Sequence, residues 1–253
     1  VERGGADLIG VRLCEAIAEG LKTNTSVTAL CVDGADIGAD GGWALADAFT
    51  VNTSLTLLTV SQELSVNSNY ARPIKIQEVV RGGGDMIIPC ADLGEAAGGV
   101  LGRCLEFATC TSLTLDENHL GEKGAVALAR GLRTNRSLTS LSHKCSVYYT
   151  NAAFNEKGCI AIAEALTENT TLTSLNLRDN RIHDKGALAL EEALKVNQTL
   201  RHLDVGGESG MSKDGVSAIQ RACNSKPGSD FMSDLLSPTS SGLANDNCGT
   251  TIC

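Results

Sequence analysis

The sequence predicts an α/β solenoid in which short strands alternate with helices. Three observations predict it. Five N-x-[ST] triplets begin at Asn24, Asn52, Asn135, Asn169 and Asn197; two neighbouring pairs are 28 residues apart and a third pair is 34 apart. Each asparagine follows a stretch with helical spacing and precedes one with alternating apolar residues. Aromatic residues make up only 3% of the chain while hydrophobic residues reach 42%. That composition suits many thin, similar layers better than one core anchored on aromatics.

The chain of 253 residues is long enough to bury a sizeable core. Its net charge of −9 argues against a broad nucleic-acid or anionic-membrane surface. No window approaches the ~18 apolar residues of a spanning helix. The first residue is Val1, so the chain reads as a fragment, a processed product or an incomplete sequence, and a missing signal peptide says nothing about compartment. Ten cysteines are scattered without a C-x-x-C pair or a Cys/His group at zinc spacing. They read as buried free thiols of a reducing, cytoplasmic compartment rather than as a disulfide set.

Along the chain, "IGVRLCEAIAEGLKTNT" at 9–25 is the helical half of a truncated first unit. Residues 26–53 form a full unit, with Val27, Leu30, Val32 and Ile37 in apolar core places. The clearest unit starts at Thr171. Its first half reads L-x-x-L-x-L-x-x-N-x-I through Leu172, Leu175, Leu177, Asn180 and Ile182. Leu175 and Leu177 alternate and share one face of a short strand. Asn180 falls where the chain turns, and its amide can bond the backbone that turning exposes. "DKGALALEEALKVN" then switches to helical spacing, with Leu190 and Leu194 one turn apart. "TLRHLDV" at 199–205 repeats the strand.

These residues resemble the leucine-rich repeat family, in its ribonuclease-inhibitor-like class. The resemblance rests on the L-x-x-L-x-L-x-x-N-x-I core and on helices written G-A-x-A-L-x-x-A-L-x-x-N at Gly124–Asn135, Gly158–Asn169 and Gly186–Asn197. It covers most of residues 7–224 in about seven units, several of them imperfect, and implies a right-handed horseshoe with parallel strands on the concave face and helices on the convex face. Stacking explains why such a chain folds: one unit cannot bury its leucine row alone, whereas neighbours together form a continuous core.

The repeat breaks between Ser54 and Thr111, where the excess falls mainly in 61–91. That segment carries Pro73, Pro89 and the run Gly82-Gly83-Gly84, and no L-x-x-L-x-L core is legible in it. A functional loop, a decayed repeat and sequence wrongly read through as coding remain open. Cys110 is read as standing where asparagine is usual, and 112–121 as lacking three residues of its strand. The unit from Ser137 to Gly158 is read as carrying six extra residues. Residues 225–253, rich in Ser, Gly, Asn and Asp, read as a disordered tail.

Chemistry-bearing motifs are sparse. "RGGGD" at 81–85 lacks the order of a phosphate loop, and neither G-x-S-x-G nor H-E-x-x-H occurs. Asp33 and Asp204 are several repeats apart, beyond reach of one another for acid–base work. No catalytic, cofactor-binding or metal site is therefore expected. The candidate contact residues are strand side chains that point away from the core: Asp33, Ser174, Asn176, Arg178, His202 and Asp204. A curved sheet presents them as a long strip for a partner protein. The expected function is a non-enzymatic, monomeric protein-interaction scaffold. The resemblance also implies two alternatives, a GTPase-activating protein or a sensor fragment of a larger NOD-like protein. The five triplets are read as repeat markers in which asparagine ends a helix, not as glycan sites.

Overall fold

The computed structural model describes residues 4–32, 37–60, 73–88, 93–145, 153–207, 209–224 and 230–231. A helix α1 (Gly4–Thr23) leads into strand β1 (Ala29–Cys31), α2 (Gly38–Ala46), a 3-10 turn (Asp47–Thr50) and β2 (Leu57–Thr59). Then come β3 (Ile74–Lys75), α3 (Ile76–Arg81), β4 (Asp85–Ile87), α4 (Gly94–Leu105), β5 (Ser112–Thr114) and α5 (Gly121–Thr134). The last layers are β6 (Ser140–Ser142), α6 (Asn155–Glu168), β7 (Ser174–Asn176), α7 (His183–Val196), β8 (His202–Asp204), α8 (Lys213–Asn224) and β9 (Asp230–Phe231). Strands pair with strands and helices pack on helices in chain order, so the fold is the leucine-rich repeat solenoid.

Strands β4 to β9 form one parallel sheet in chain order. Strands β1 and β2 pair in parallel in a second sheet, which β3 closes antiparallel on the far side of β2. The repeat core fills the space behind the sheets. Leu113, Leu141, Leu175 and Leu203 stand in register across four strands and are at most 2% exposed. Leu, Ile, Val, Ala and Cys fill most of the core, and among the described residues Phe49 and Phe154 are the largest fully buried side chains.

The irregular region keeps more of the repeat than its sequence suggests. Leu57 of β2 and Asp85 of β4 are 28 positions apart, the spacing also found between Thr28 and Thr56. Met86 pairs with Leu113 and packs on the core, so methionine fills a leucine place in β4. Two readings of the sequence are corrected by the register. Residues 112–121 lack nothing: Ser112 pairs with Ser140, which in turn pairs with Ser174. Cys110, 1% exposed, then occupies the place of the fully buried Leu172, and is not a replacement for asparagine. Asp230 and Phe231, inside the segment expected to form a tail, pair parallel with β8; the rest of 225–253 lies outside the described residues.

Helix α4 fits between α2 and α5 because it is nearly bare on both sides. A Cβ on Gly99 would sit 1.8 Å from the Ala39 carbonyl oxygen, and one on Gly102 would sit 2.2 Å from that of Ala127. Lys22, Asp47 and Arg103 tie α1, the 3-10 turn and α4 together: Asp47 lies 3.1 Å from Lys22 Nζ and 2.7 Å from Arg103 Nη2. The two cations hold the Asp47 carboxyl below its usual range.

The triplet asparagines have a different role from the one read in the sequence. Asn135, Asn169 and Asn197 are extended, with φ near −60° to −80°, so no left-handed turn is needed there. Instead their amides stitch layers. Asn169 Nδ2 donates to the Leu132 carbonyl at 2.7 Å, and its Oδ1 accepts the Thr171 and Leu172 N–H groups. Asn52, Asn135 and Asn197 make the equivalent inter-layer bonds to Leu21, Leu105 and Leu166. All four are at most 3% exposed. A glycan on any of them would displace the layer it is bonded to.

Candidate functional site: the strand face and its loop rim

Each three-residue strand turns its central apolar residue toward the core, so the residues on either side face out. In register, the outward places form two rows. The first runs Asp85, Ser112, Ser140, Ser174 and His202; the second runs Ile87, Thr114, Ser142, Asn176 and Asp204. The floor is made of small polar groups and is half-buried from β5 to β7. Its ends are more exposed, with Ile87 at 69% on one side and His202 on the other.

Five of the six sequence-selected residues come together. Ser174 pairs with His202 and Asn176 with Asp204 on adjacent strands. Arg178 follows β7, where its Nη1 lies 4.0 Å from Asp204 Oδ2 and its Nε 3.7 Å from Asp179 Oδ2. Two local bonds aim these groups: Asn176 Oδ1 accepts the Arg178 N–H at 3.0 Å, and Asp204 Oδ1 accepts the Gly206 N–H at 2.9 Å. Both polar side chains are thereby fixed at the strand ends. The sixth residue, Asp33, lies outside the described residues.

The rim of the strip is built by the strand-to-helix loops. Asp116 accepts bonds from Ser142 Oγ at 2.7 Å and from the Lys144 N–H at 2.8 Å, linking two layers. Glu117 and Asp179 sit in the left-handed region, at φ 59° and 63°. That conformation is costly for side-chain-bearing residues. Asn118 and Asn180 beneath them hold it: Asn180 Nδ2 donates to the His143 carbonyl at 2.6 Å and to the Arg178 carbonyl at 3.1 Å. Burial raises the Glu117 carboxyl above its ordinary value, against the opposing pull of Lys144.

Sequence reading missed Asp85, Ser112, Thr114, Asp116 and Lys144. Ser112 and Thr114 carried a signal, because Leu113 and Leu115 alternate between them as Leu175 and Leu177 do. Asp85 carried none, since β4 replaces its leucines with Met86 and Ile88. His143 was also missed. It takes the core place of Leu115 and Leu177, is fully buried, and stacks on Phe154 at 4.0 Å between ring centres.

The strip's chemistry is that of contact. Among the described residues no group of three or more His, Cys, Asp or Glu side chains is arranged to hold a metal ion. None of the described helices is long and apolar enough to cross a membrane. A recess of about 230 Å³ lies on the helix side, between Ile37, Asp40, Val126 and Arg130, away from the strip. Arg130 stacks over Trp43 there, 4.0 Å from the ring centre.

Comparison with known proteins agrees with the repeat. A leucine-rich repeat family profile matches residues 168–190, spanning the end of α6, β7 and the start of α7. No curated protein matches the chain in sequence. Among solved structures, actin-binding site 2 of leiomodin-1 is similar at 20% identity and a TM-score of 0.46, covering 59% of this chain and 86% of that one. The C-terminal domain of tropomodulin from Caenorhabditis elegans is similar at 9% identity and a TM-score of 0.35, covering 85% and 94%.

Proposed function

We propose that the chain is a non-enzymatic interaction scaffold that holds a partner protein on the concave strand face and its loop rim. Its repeats are of the ribonuclease-inhibitor-like class, it acts as a single copy, and it works in the reducing cytoplasm. The stacked region spans 1–224 and the segment after it serves as a tail. The observation that carries this reading is the cluster on β7 and β8. Ser174, Asn176, Arg178, His202 and Asp204 form one patch, with Arg178 between two carboxylates and Asn176 and Asp204 fixed by backbone bonds. Arginine at the centre of a preorganised polar patch is a favoured anchor of protein interfaces. The thiol environment fits the compartment: Cys14, Cys104, Cys110 and Cys159 are buried free thiols.

The test is affinity for a partner isolated with the intact chain. Arg178→Ala and Asp204→Ala together should weaken it by at least tenfold, the range of interface anchors. Leu188→Asp, on the exposed side of α7, should leave it unchanged. Equal loss from both variants, or loss from Leu188→Asp alone, rules out the strand face as the contact surface.

A further inference from the structure

The strand face carries charge of opposite sign at its two ends. At the β4 end the outward places hold Asp85 and Ile87, and the loop after β5 adds Asp116 and Glu117. Asp85 is exposed and, among the described residues, forms no ion pair. Ile87, in the same strand, is 69% exposed. Glu117 is half-buried, and Lys144 acts on it through space rather than as a bonded partner.

At the β7–β8 end the balance reverses. Arg178 follows β7, Arg181 stands on the rim beyond it, and Arg201 is exposed just before β8. Asp179 and Asp204 hold Arg178 only loosely, at 3.7 and 4.0 Å. Arg181 and Arg201 form no ion pair among the described residues. The uncommitted charges are therefore carboxylates at one end and guanidinium groups at the other.

The floor keeps the two ends apart. Between them the outward places are Ser112, Thr114, Ser140, Ser142, Ser174 and Asn176, uncharged and too short to bridge the gap. Strands β4 and β7 are three steps apart in the sheet, about 14 Å at about 4.8 Å per step. That exceeds the roughly 8 Å over which exposed charges act on one another at physiological salt. The short floor side chains also let a partner's backbone lie close to the sheet.

We infer that the strand face recognises a partner segment that is itself dipolar. One end of that segment carries a cation beside an apolar side chain, set on Asp85, Glu117 and Ile87. The other end carries carboxylates, set among Arg178, Arg181 and Arg201. The inference rests on the strand face being the contact surface, as proposed above, and adds the chemistry and direction of its occupant. Complementary charges at two separate points fix register and orientation more than they raise affinity.

The probes are three fluorescein-labelled peptides on one frame, each titrated against the full chain at low salt. The first has an Arg-Leu pair, a Gly/Ser spacer of about four residues to span the gap, and a Glu pair. The second carries arginine at both ends and the third glutamate at both ends. The dipolar peptide should bind about fivefold more tightly than either uniform one, and added salt should remove most of that difference. Asp85→Lys should move the preference to the glutamate peptide, and Arg178→Glu to the arginine peptide, gains that loss of the fold would not give. Equal binding of all three peptides, binding of none, or a preference that neither variant moves overturns the inference. If partner affinity still falls with Arg178→Ala and Asp204→Ala while the peptides show no preference, the strand face stands and only its dipolar occupant fails.

Discussion

Replacing His143 with leucine should remove a specific acid sensitivity from the fold. The reasoning starts from the amide of Asn180. Its Nδ2 faces two carbonyls and its Oδ1 accepts the Phe154 N–H at 3.1 Å, which fixes the amide's orientation. His143 Nδ1, 3.2 Å from that Oδ1, must then carry the ring proton. The other nitrogen, Nε2, is buried and has no hydrogen-bond partner among the described residues. A second proton would have to enter there, unsolvated, and burial lowers the His143 pKa from 6.5 to about 4 despite the nearby Asp116. The unfolded chain takes up its proton near pH 6.5 and the folded one only near pH 4. Stability from this group is therefore whole above pH 6.5, falls as pH drops toward 4, and is flat below. The gap is worth about 3 kcal/mol, at about 1.4 kcal/mol per unit.

His143→Leu should abolish that slope. At pH 7 it removes an unsatisfied buried nitrogen worth about 1–3 kcal/mol and gives up a ring stack worth about 0.5–1.5 kcal/mol. Leucine already fills the equivalent places at Leu115 and Leu177, both 0% exposed. His143→Leu also gives up the Nδ1–H bond to Asn180 Oδ1, worth about 0.5–1.5 kcal/mol, so the two proteins should be about equally stable at pH 7. Urea unfolding of both proteins at half-unit steps from pH 7.5 to 4.5 measures it. The difference in unfolding free energy should widen by up to about 3 kcal/mol across that range. Parallel pH profiles would refute the buried, neutral histidine.

Three further outcomes follow from the packing. Asn169→Ala should cost about 2–4 kcal/mol in urea unfolding, because it leaves the Leu132 carbonyl and two N–H groups without their partner, while Asn24→Ala should cost under about 1 kcal/mol. Gly99→Ala should destabilise by more than about 2 kcal/mol or prevent folding, because its Cβ would overlap the Ala39 carbonyl oxygen; Gly20→Ala, inside α1 with open space around it, should stabilise by about 0.5–1 kcal/mol. Thiol labelling read by peptide mass should modify the exposed Cys31 in the native state and reach Cys104 and Cys159 only on unfolding, since burial raises both thiols, Cys104 to about 12.

The strand-and-helix alternation was legible wherever leucine marks the layer. Leu172, Leu175 and Leu177 set the phase of β7, and the same frame located Ser174, Asn176, Arg178, His202 and Asp204 on one surface. It failed where another apolar residue does leucine's job. Met86 and Ile88 concealed β4, and Cys110 in a leucine place made β5 look truncated. In each case burial selects volume and lack of charge, which several residue types supply. The asparagines were recognised as phase markers but given the wrong cause. A helix-end asparagine suggests a local turn, whereas here the amide reaches across 28 to 37 residues of sequence to the layer before. Bonds between layers leave no local pattern, and the same holds for His143 and Asn180.

Photocrosslinking tests the central claim most directly. A benzophenone amino acid at Ser174 or His202 should join the chain to its partner in one band on illumination, and the same group at Leu188 or Val196 on α7 should not. Crosslinks from α7 with none from β7 or β8 would contradict the account.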